Sequence, residues 1–273
     1  MNTLITEMEF VARSYEVDAT LELKPATYMN WLQEIAWEAA RDAGCPPSWF
    51  LENHLGCVYG ASRFDKEKPI RYGDRIIART WFSRMEGSRG LREFDLRRAD
   101  NDKVVLRGQG EMVLIDLRTL KPTDWGELIH KVKPNGESFY NQYQPAAVAQ
   151  AQAPVTFELR RPVQAEELDM ARHVNNSVYL RWMADALQSF LRPRLGDVAE
   201  RASPSAVNIR FGAPLVQGQN VRVSGKLEGI GEGLSRWSFE VGPESGTRRP
   251  TVGELNVRWS PEWTAALHTP IPE

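Results

Sequence analysis

The sequence predicts an α+β fold of two tandem domains, each a long helix wrapped by an antiparallel sheet. Three observations predict it. The chain has 273 residues, which suits two domains of ordinary size. Its two halves share matching residues in the same order. In each half one helical pattern is followed by runs of alternating apolar residues, an order typical of α+β proteins.

The matching positions indicate an internal duplication. At a shift of 151 residues, Asp18 and Trp31 fall on Asp169 and Trp182. Further along the shift becomes 145 residues, where RIIARTWFSRMEGSRGLREFDL aligns with NVRVSGKLEGIGEGLSRWSFEV without a gap. An ordered series of matches with a drifting shift indicates duplication rather than chance.

Each half has the same predicted order of elements. A first strand covers residues 10–17 in one half and 155–161 in the other. A long helix follows, with apolar residues three and four positions apart and a Gly beyond its end. The next strands alternate apolar and polar residues, as in RIIARTWF. Residues 135–154, rich in Ala, Gln and Pro, are predicted to link domains 1–134 and 155–273.

The bulk composition argues against several classes of protein. A net charge of −2 gives no general reason for a nucleic-acid or membrane partner. Two cysteines and four scattered histidines support neither a disulfide framework nor a metal site. The first residues lack the basic and apolar regions of a signal peptide, and no apolar run is long enough to cross a membrane. We therefore expect a soluble, cytoplasmic protein.

The stretch LDMARHVNNSVYLRWM gathers four polar side chains where the second long helix is predicted to begin: Asp169, His173, Asn175 and Asn176. One of them is enough to cap a helix, so the others are available to a substrate. A helix N-terminus also offers unpaired N–H groups and a positive dipole end. We therefore expect the backbone amides of residues 174–177 to stabilise a developing negative oxygen.

The pattern D-x-x-x-H-V-N-N-x-x-Y-x-x-W resembles the hotdog-fold thioesterases, and the duplication resembles the double-hotdog fatty acyl-ACP thioesterases of plants and bacteria. The resemblance covers residues 8–262 and includes ASRFDKEKPIRYGDRIIARTWF, which is similar to a strand, Gly-Asp turn and strand of that family. It implies two tandem hotdog domains, the second catalytic and the first structural or acyl-binding. It also implies hydrolysis of a fatty acyl thioester in fatty acid biosynthesis, without a cofactor or metal.

The resemblance also assigns roles to residues of the second half. By matching position, Asp169 is the expected nucleophile or general base, since both roles require an ionised carboxylate near the carbonyl carbon. His173 is expected to orient the carbonyl, position water or protonate the leaving thiolate, and Asn175 completes the catalytic set. The expected substrate-binding residues are Val174, Asn176 and Tyr179.

Two departures from the family bear on the mechanism. The plant-type enzymes read D-x-N-x-H, whereas the middle residue here is Ala171. The family also places a carboxylate before a Gly-Asp turn, but no acidic residue lies between Glu200 and Glu228. A mechanism that needs that Asn and that acid does not transfer intact. The site is more similar to single-hotdog hydrolases that rely chiefly on the Asp.

The first half serves as an internal control. Asp18 is kept, but Glu22 replaces the His and Lys24-Pro25 replaces the Asn pair. Pro25 still suits a first helical turn. We interpret the first half as structural or pocket-forming, with a second active site at Asp18 and Glu22 as the alternative. Cys57 lies in a predicted strand, and no His lies at a position that would indicate a catalytic Cys–His pair. Both observations argue against a nucleophilic role.

Other functions stay open at this stage. The same residues suit a non-catalytic acyl-binding or ACP-binding protein, an acyl-CoA thioesterase, or a hotdog enzyme that hydrates or dehydrates acyl thioesters. Residues 63–107 carry 13 Lys and Arg against 8 Asp and Glu. This excess suits docking of acidic acyl carrier protein, or simply keeps outward strand positions solvated. A monomer and a homodimer are both compatible with two hotdogs in one chain.

Overall fold

The computed structural model describes residues 4–139, 147–151, 153–231 and 233–268. The chain divides into two compact units, Met1–Gln144 and Pro145–Glu273. The division falls within the predicted linker 135–154, of which residues 140–146 and 152 lie outside the described residues. None of the helices in the described ranges has the length and apolar character that crossing a bilayer requires.

The first unit consists of one long helix, two short helices and an antiparallel sheet. Its elements are β1 (Thr6–Val11), α1 (Pro25–Asp42), α2 (Pro47–Glu52), β2 (Leu55–Lys66), β3 (Arg75–Glu86), β4 (Arg89–Arg98), β5 (Val104–Asp116), β6 (Lys121–Pro122) and α3 (Leu128–Val132). The strand order is β1-β3-β4-β5-β2, and β6 pairs with β5. Every ladder is antiparallel, and Phe94 of β4 lies opposite Gly108 of β5.

The second unit repeats this plan. Its elements are β7 (Ala149–Gln150), β8 (Thr156–Pro162), α4 (Asn176–Leu195), β9 (Pro204–Arg210), β10 (Asn220–Gly231), β11 (Leu234–Pro243) and β12 (Thr251–Arg258). The strand order is β9-β12-β11-β10, and both β8 and β7 pair with β10. The register of the duplication is kept: α4 begins 151 positions after α1, and β10 begins 145 positions after β3.

Both long helices bury one face against their own sheet. Pro25, with its preset φ, opens α1. Beyond the helix ends, Gly44 and Gly196 take the left-handed conformation with φ of +72° and +61°, which glycine adopts without a Cβ penalty. The predicted glycine caps are thus present. Residues at three- and four-residue spacing form the buried face of α1: Tyr28, Trp31, Leu32, Ile35 and Ala39.

Aromatic side chains form the core of the second unit. The ring of Phe157 on β8 stacks on that of Phe190 on α4, with centroids 4.7 Å apart. Trp182 and Trp237 are fully buried, on α4 and β11 respectively. Each such side chain contributes about 1.5–3 kcal/mol by its removal from water. The α+β prediction of two repeated hotdog units is confirmed.

One predicted strand is misplaced along the chain. The first strand was expected at residues 10–17, but β1 covers Thr6–Val11. The reason lies in its partner, because β3 begins at Arg75, which pairs with Val11. Ala12 still exchanges backbone hydrogen bonds with Gly73 and Asp74, in the turn before β3, and the chain then leaves the sheet toward α1.

Candidate active site

A tight turn brings the predicted catalytic residues to the start of α4. Leu168 and Val174 form an isolated antiparallel bridge. Inside it, the N–H of Asp169 donates to the carbonyl of His173 at 2.9 Å, and the N–H of Arg172 donates to the carbonyl of Asp169 at 2.9 Å. Arg172 adopts a φ of +60°, which is uncommon for a residue with a side chain. The turn therefore places Asp169 and His173 opposite each other at its two ends.

Asp169 is half-buried, and its carboxylate accepts few hydrogen bonds. Its Oδ1 accepts one hydrogen bond, from the backbone N–H of Ala171 at 2.8 Å. Within the described part of the chain, its Oδ2 has no hydrogen bond or ion pair. A carboxylate has about four acceptor positions. Asp169 therefore keeps the capacity to bind a water molecule or to approach a carbonyl carbon.

Asn175 is the N-cap of α4. Its Oδ1 accepts from the backbone N–H of Ser177 at 2.9 Å and from the Ser177 hydroxyl at 2.8 Å. This bond satisfies one of the N–H groups that lack a partner within the helix. The cap fixes where α4 begins relative to the turn, and so acts on the position of Asp169.

The expectation that the amides of residues 174–177 form an oxyanion hole is wrong for three of the four. The N–H of Val174 donates to the carbonyl of Leu215 at 2.9 Å, and the N–H of Asn175 donates to the carbonyl of Glu167 at 2.9 Å. The Ser177 amide is used by the cap. Backbone hydrogen bonds of the turn engage the Val174 and Asn175 amides, and the capping side chain of Asn175 engages the Ser177 amide.

His173 and Asn176 lie on either side of the Asn175 cap. His173 is exposed at the end of the turn, and Asn176, the first residue of α4, is half-buried. The positive end of the α4 dipole lies at this position. A negative oxygen near Asn176 would be stabilised by that field even with three amides engaged.

Val174 and Tyr179 lie inside the second unit. The Oη of Tyr179 accepts from the N–H of Leu215 at 3.3 Å, and the hydroxyl of Thr251 also bonds to it. Burial raises the pKa of Tyr179 to about 12, and the nearby charge of Asp169 adds to the increase. The phenol is therefore neutral at physiological pH, and it braces the segment that follows β9.

We expect Tyr179→Phe to lower the free energy of unfolding by about 1–2 kcal/mol, because the Leu215 amide loses its buried acceptor. The rate constant kcat should change less than about 3-fold, since no charged group is removed. Urea unfolding and steady-state kinetics check both values. Tyr28→Phe is the matched control, because the Oη of Tyr28 accepts from the Ile70 N–H at the same 3.3 Å. A loss of activity confined to Tyr179→Phe would instead support its predicted contact with substrate.

Glu167 is a positioning residue that the sequence analysis missed. Its carboxylate, 1% exposed, accepts from the indole N–H of Trp182 at 2.9 Å and forms ion pairs with Arg161 at 2.7 Å and with Arg181. Its carbonyl also receives the Asn175 N–H. The residue therefore ties the turn to α4. A signal was present, because Glu16 and Trp31 repeat Glu167 and Trp182 at the shift of 151 residues.

The first unit contains the same turn, built from the same backbone bonds. The N–H of Asp18 donates to the carbonyl of Glu22 at 2.8 Å, and the N–H of Leu21 donates to the carbonyl of Asp18 at 3.0 Å. Leu21 has a φ of +62°, as Arg172 has at the equivalent place. The Lys24 N–H donates to the Glu16 carbonyl. The two turns differ in their side chains, not in their path.

The side chains of the first turn are more fully bonded than those of the second. The Oδ1 of Asp18 accepts three bonds, from the N–H and hydroxyl of Thr20 at 2.8 and 2.7 Å and from the N–H of Glu22 at 3.1 Å. Glu22 is buried and ion-paired with Lys66. At the shift of 145 residues Phe211 replaces Lys66, so the ion pair and its two charges are absent from the second turn.

The residues usual in metal or thiol chemistry do not gather at the turn. In the described ranges, no group of three or more His, Cys, Asp and Glu side chains is arranged to hold a metal ion. Cys57 is partly accessible but deep enough that burial raises its pKa to about 12. A thiol that stays protonated is a poor nucleophile.

Comparison with known proteins identifies the family. The family model described as acyl-ACP thioesterase N-terminal domain matches residues 3–130, and that of the C-terminal domain matches residues 151–259. The chain belongs to the acyl-ACP thioesterase family. The turn that contains Asp169 thus lies in the part that matches the C-terminal domain of acyl-ACP thioesterases.

Individual relatives of this acyl-ACP thioesterase family member are distant. A chloroplastic palmitoyl-acyl carrier protein thioesterase of Gossypium hirsutum is 23% identical over 198 residues, which are 67% of this chain and 47% of that protein. The chain thus spans about half the length of this curated relative.

Solved structures of two thioesterases share the fold. An acyl-ACP thioesterase from Bacteroides thetaiotaomicron superposes with a TM-score of 0.74 at 18% identity, over 93% of this chain and 98% of that one. The 12:0-ACP thioesterase from Umbellularia californica also gives 0.74 at 18% identity, over 93% of this chain and 94% of that one. The agreement extends over both units of the chain.

Proposed function

We propose that this chain hydrolyses a fatty acyl thioester, carried on acyl carrier protein, to a free fatty acid and a thiol, and that Asp169 is the catalytic carboxylate. The observation that carries the proposal is the contrast between the two turns. The Oδ1 of Asp18 accepts three hydrogen bonds and its turn partner Glu22 is ion-paired with Lys66, whereas the Oδ1 of Asp169 accepts one and its turn partner His173 is exposed. Family membership supports the choice of reaction.

Two routes use this carboxylate. In one, a carboxylate oxygen of Asp169 attacks the carbonyl carbon, the C–S bond breaks with release of the thiolate, and water cleaves the resulting anhydride. In the other, Asp169 removes a proton from a water whose oxygen attacks that carbon, and the tetrahedral intermediate expels the thiolate. Both routes consume one water and give a carboxylic acid and a thiol.

The neighbouring groups assist either route. His173 lies across the turn from Asp169 and is exposed, so its imidazole can protonate the departing thiolate or orient the carbonyl. Asn176 and the α4 dipole supply positive potential for the carbonyl oxygen. Asn175 acts by holding the helix start. Substrate contacts of Val174 and Tyr179 stay a prediction, with both side chains buried.

The carrier, the compartment and the oligomeric state are also part of the proposal. The family and the cotton relative favour acyl carrier protein over coenzyme A. Exposed Arg84 and Arg89, within the basic stretch 63–107, offer positive charge to an acidic carrier, although each already pairs with a Glu. We expect a cytoplasmic protein that acts as a monomer or homodimer, without a cofactor, nucleic acid or membrane as partner.

A turnover assay tests the proposal. Acyl-ACP and acyl-CoA of several chain lengths are offered at equal concentration, and the released thiol is measured. We expect kcat/KM for acyl-ACP to exceed that for acyl-CoA by at least about 10-fold, since the carrier contributes its own binding energy. Faster turnover of acyl-CoA would reassign the substrate to coenzyme A thioesters.

The same experiment separates the alternatives. A non-catalytic acyl-binding protein would bind acyl-ACP but release no thiol from any chain length. A hydrating or dehydrating enzyme would convert a 3-hydroxyacyl thioester with loss of water and leave the C–S bond intact. Either result would remove hydrolysis as the function of the Asp169 turn.

A further inference from the structure

Three exposed arginines of the second unit have no acidic partner among the described residues. Arg172 belongs to the turn before α4, and Arg248 and Arg249 belong to the loop between β11 and β12, residues 244–250. None of their guanidinium groups forms an ion pair or a hydrogen bond within the described part of the chain. The donors of all three side chains are therefore available to a ligand.

A short connection joins this loop to the turn. The connection, residues 211–215, follows β9. The N–H of Ala213 donates to the carbonyl of Arg249 in the loop at 2.9 Å. The N–H of Val174, at the end of the turn, donates to the carbonyl of Leu215 at 2.9 Å. The loop and the turn therefore flank the same connection.

Gly212 and Tyr179 keep the loop close to the turn. A Cβ at Gly212 would lie 2.3 Å from the carbonyl oxygen of Arg249, so a larger residue there would displace the loop. The hydroxyl of Tyr179, on α4, bonds to that of Thr251, the residue with which β12 begins. Besides burial, the charge of Asp169 raises the pKa of this phenol. The carboxylate and the end of the loop thus lie on two sides of one side chain.

The duplication shows that these positive charges are particular to the second unit. At the shift of 151 residues, Leu21 occupies the place of Arg172. The loop between β4 and β5, residues 99–103, reads ADNDK, whereas residues 244–250 read ESGTRRP. The first unit therefore has the same turn and an equivalent loop with an apolar residue and two acids. The fold itself does not require positive charge at these places.

The arginines suit a phosphate group. Glu244, the acid of the same loop, does not offset them, because it lies 3.4 Å from the Nε of Arg160 on β8. Unpaired like charges along one edge repel each other, and a bound anion relieves that repulsion. Guanidinium groups match phosphate especially well, because two of their N–H groups can donate to two phosphate oxygens.

We propose that Arg172, Arg248 and Arg249, which we call the arginine rim, bind the phosphate of a 4′-phosphopantetheine arm whose thioester reaches Asp169. The choice of ligand rests on the proposed function, because acyl carrier protein and coenzyme A both carry acyl groups on the thiol of such an arm. The phosphate lies at the far end of the arm, so it remains at the surface with the exposed arginine side chains. It has two sources: the diester on the carrier protein, or coenzyme A.

Calorimetric titration with ligands that cannot be hydrolysed tests the arginine rim. The thioethers S-dodecyl-4′-phosphopantetheine and S-dodecyl-pantetheine are titrated into the parent and into a double variant with Arg248→Gln and Arg249→Gln. We expect the parent to bind the phosphorylated ligand at least about 10-fold more tightly, and the double variant to lose most of that preference. Arg172→Gln should weaken the phosphorylated ligand by about 3-fold. Affinity for the unphosphorylated ligand should change less than about 2-fold.

Lys103→Gln is the matched control, because Lys103 is an exposed cation in the equivalent loop of the first unit. It should leave both affinities unchanged. The preference for the phosphorylated ligand should also decrease as salt rises from about 50 to about 300 mM, since exposed charges are screened. The proposal is overturned if the parent binds both ligands equally well, if the double variant keeps the parent's preference, or if Lys103→Gln weakens binding as much as the double variant does.

Steady-state kinetics separate the two sources of phosphate. Dodecanoyl-ACP and dodecanoyl-CoA are compared in the parent and the double variant. We expect KM for dodecanoyl-ACP to rise by about 10-fold while kcat changes less than about 2-fold, because the arginine rim acts on binding and not on the reacting atoms. A rise confined to dodecanoyl-CoA would identify coenzyme A as the source, and an unchanged KM for both substrates would contradict the proposal.

The binding test does not depend on turnover, because a thioether has no thioester bond to hydrolyse. An Asp169→Asn protein should therefore keep the parent's preference for the phosphorylated ligand. A chain that shows this preference but hydrolyses no thioester would contradict the proposed function and support the arginine rim. A chain that hydrolyses thioesters without the preference would contradict the arginine rim alone.

Discussion

Replacing Asp169 by Asn is expected to lower kcat for acyl-ACP by about 10²–10⁴-fold, the range over which a positioned acid or base contributes. Asn has the shape of Asp, and its amide oxygen can still accept the Ala171 N–H that holds the side chain. The turn should therefore persist while the negative charge is lost. Steady-state kinetics give kcat, and urea unfolding gives the stability, which should change by less than about 1 kcal/mol.

Asp18→Asn is the matched control, because Asp18 occupies the same turn in the first unit. The amide oxygen of Asn can still accept the three bonds that Oδ1 of Asp18 accepts from two N–H groups and a hydroxyl. Because those bonds lose their charge assistance, this variant should lose no more than about 1–2 kcal/mol of stability and keep its kcat. Equal activity of the Asp169→Asn protein and the parent would remove Asp169 from catalysis. A large loss in Asp18→Asn alone would move the active site to the first unit.

Replacing Glu167 by Ala is expected to lower the free energy of unfolding by about 3–5 kcal/mol, as when one member of a buried ion pair is removed. The substitution leaves the Trp182 indole N–H without its acceptor and deprives Arg161 and Arg181 of their counter-charge. Because the residue also anchors the turn, kcat should fall as well. Urea unfolding monitored by tryptophan fluorescence measures the stability.

Glu16→Ala provides the comparison in the first unit. Glu16 accepts from the Trp31 indole N–H at 3.1 Å, as Glu167 accepts from Trp182, but it is half-buried and accepts otherwise from the backbone N–H of Arg13. We expect a loss of about 1–2 kcal/mol. Equal losses in the two variants would mean that the arginine pairs of Glu167 contribute no stability.

The four polar residues of the turn show which parts of the candidate site could be predicted from the sequence and which could not. The sequence predicted that one of the four polar residues caps the helix, because Asn and Asp are favoured there and an apolar helical pattern follows. Only the structure shows that the cap is Asn175, which the resemblance had placed in the catalytic set. The backbone bonds of Val174 and Asn175 were not recognisable, since their acceptors are Leu215, across the unit, and Glu167, on the far side of the turn. Almost every residue type has the same main-chain N–H and carbonyl groups, so the sequence does not indicate which of them are hydrogen-bonded.

The ion pair of the first turn could likewise be predicted only in part from the sequence. The replacement of His173 by Glu22 in the first unit was visible in the duplicated sequence, and it could be interpreted as a second site. Only the fold shows that Glu22 is buried against Lys66, 44 residues away. The partner lies on β2, and nothing in the local pattern of either residue indicates that they meet.

By itself the sequence determined the duplication, the order of helix and strands in each half and the place of the polar cluster before the second long helix, because periodicity and internal matches can be read from the sequence alone. The tertiary structure decided how many hydrogen bonds each of the two aspartates accepts, which amides are engaged and which carboxylates are held in buried ion pairs. Those properties depend on contacts between residues distant along the chain, which residue types alone do not encode.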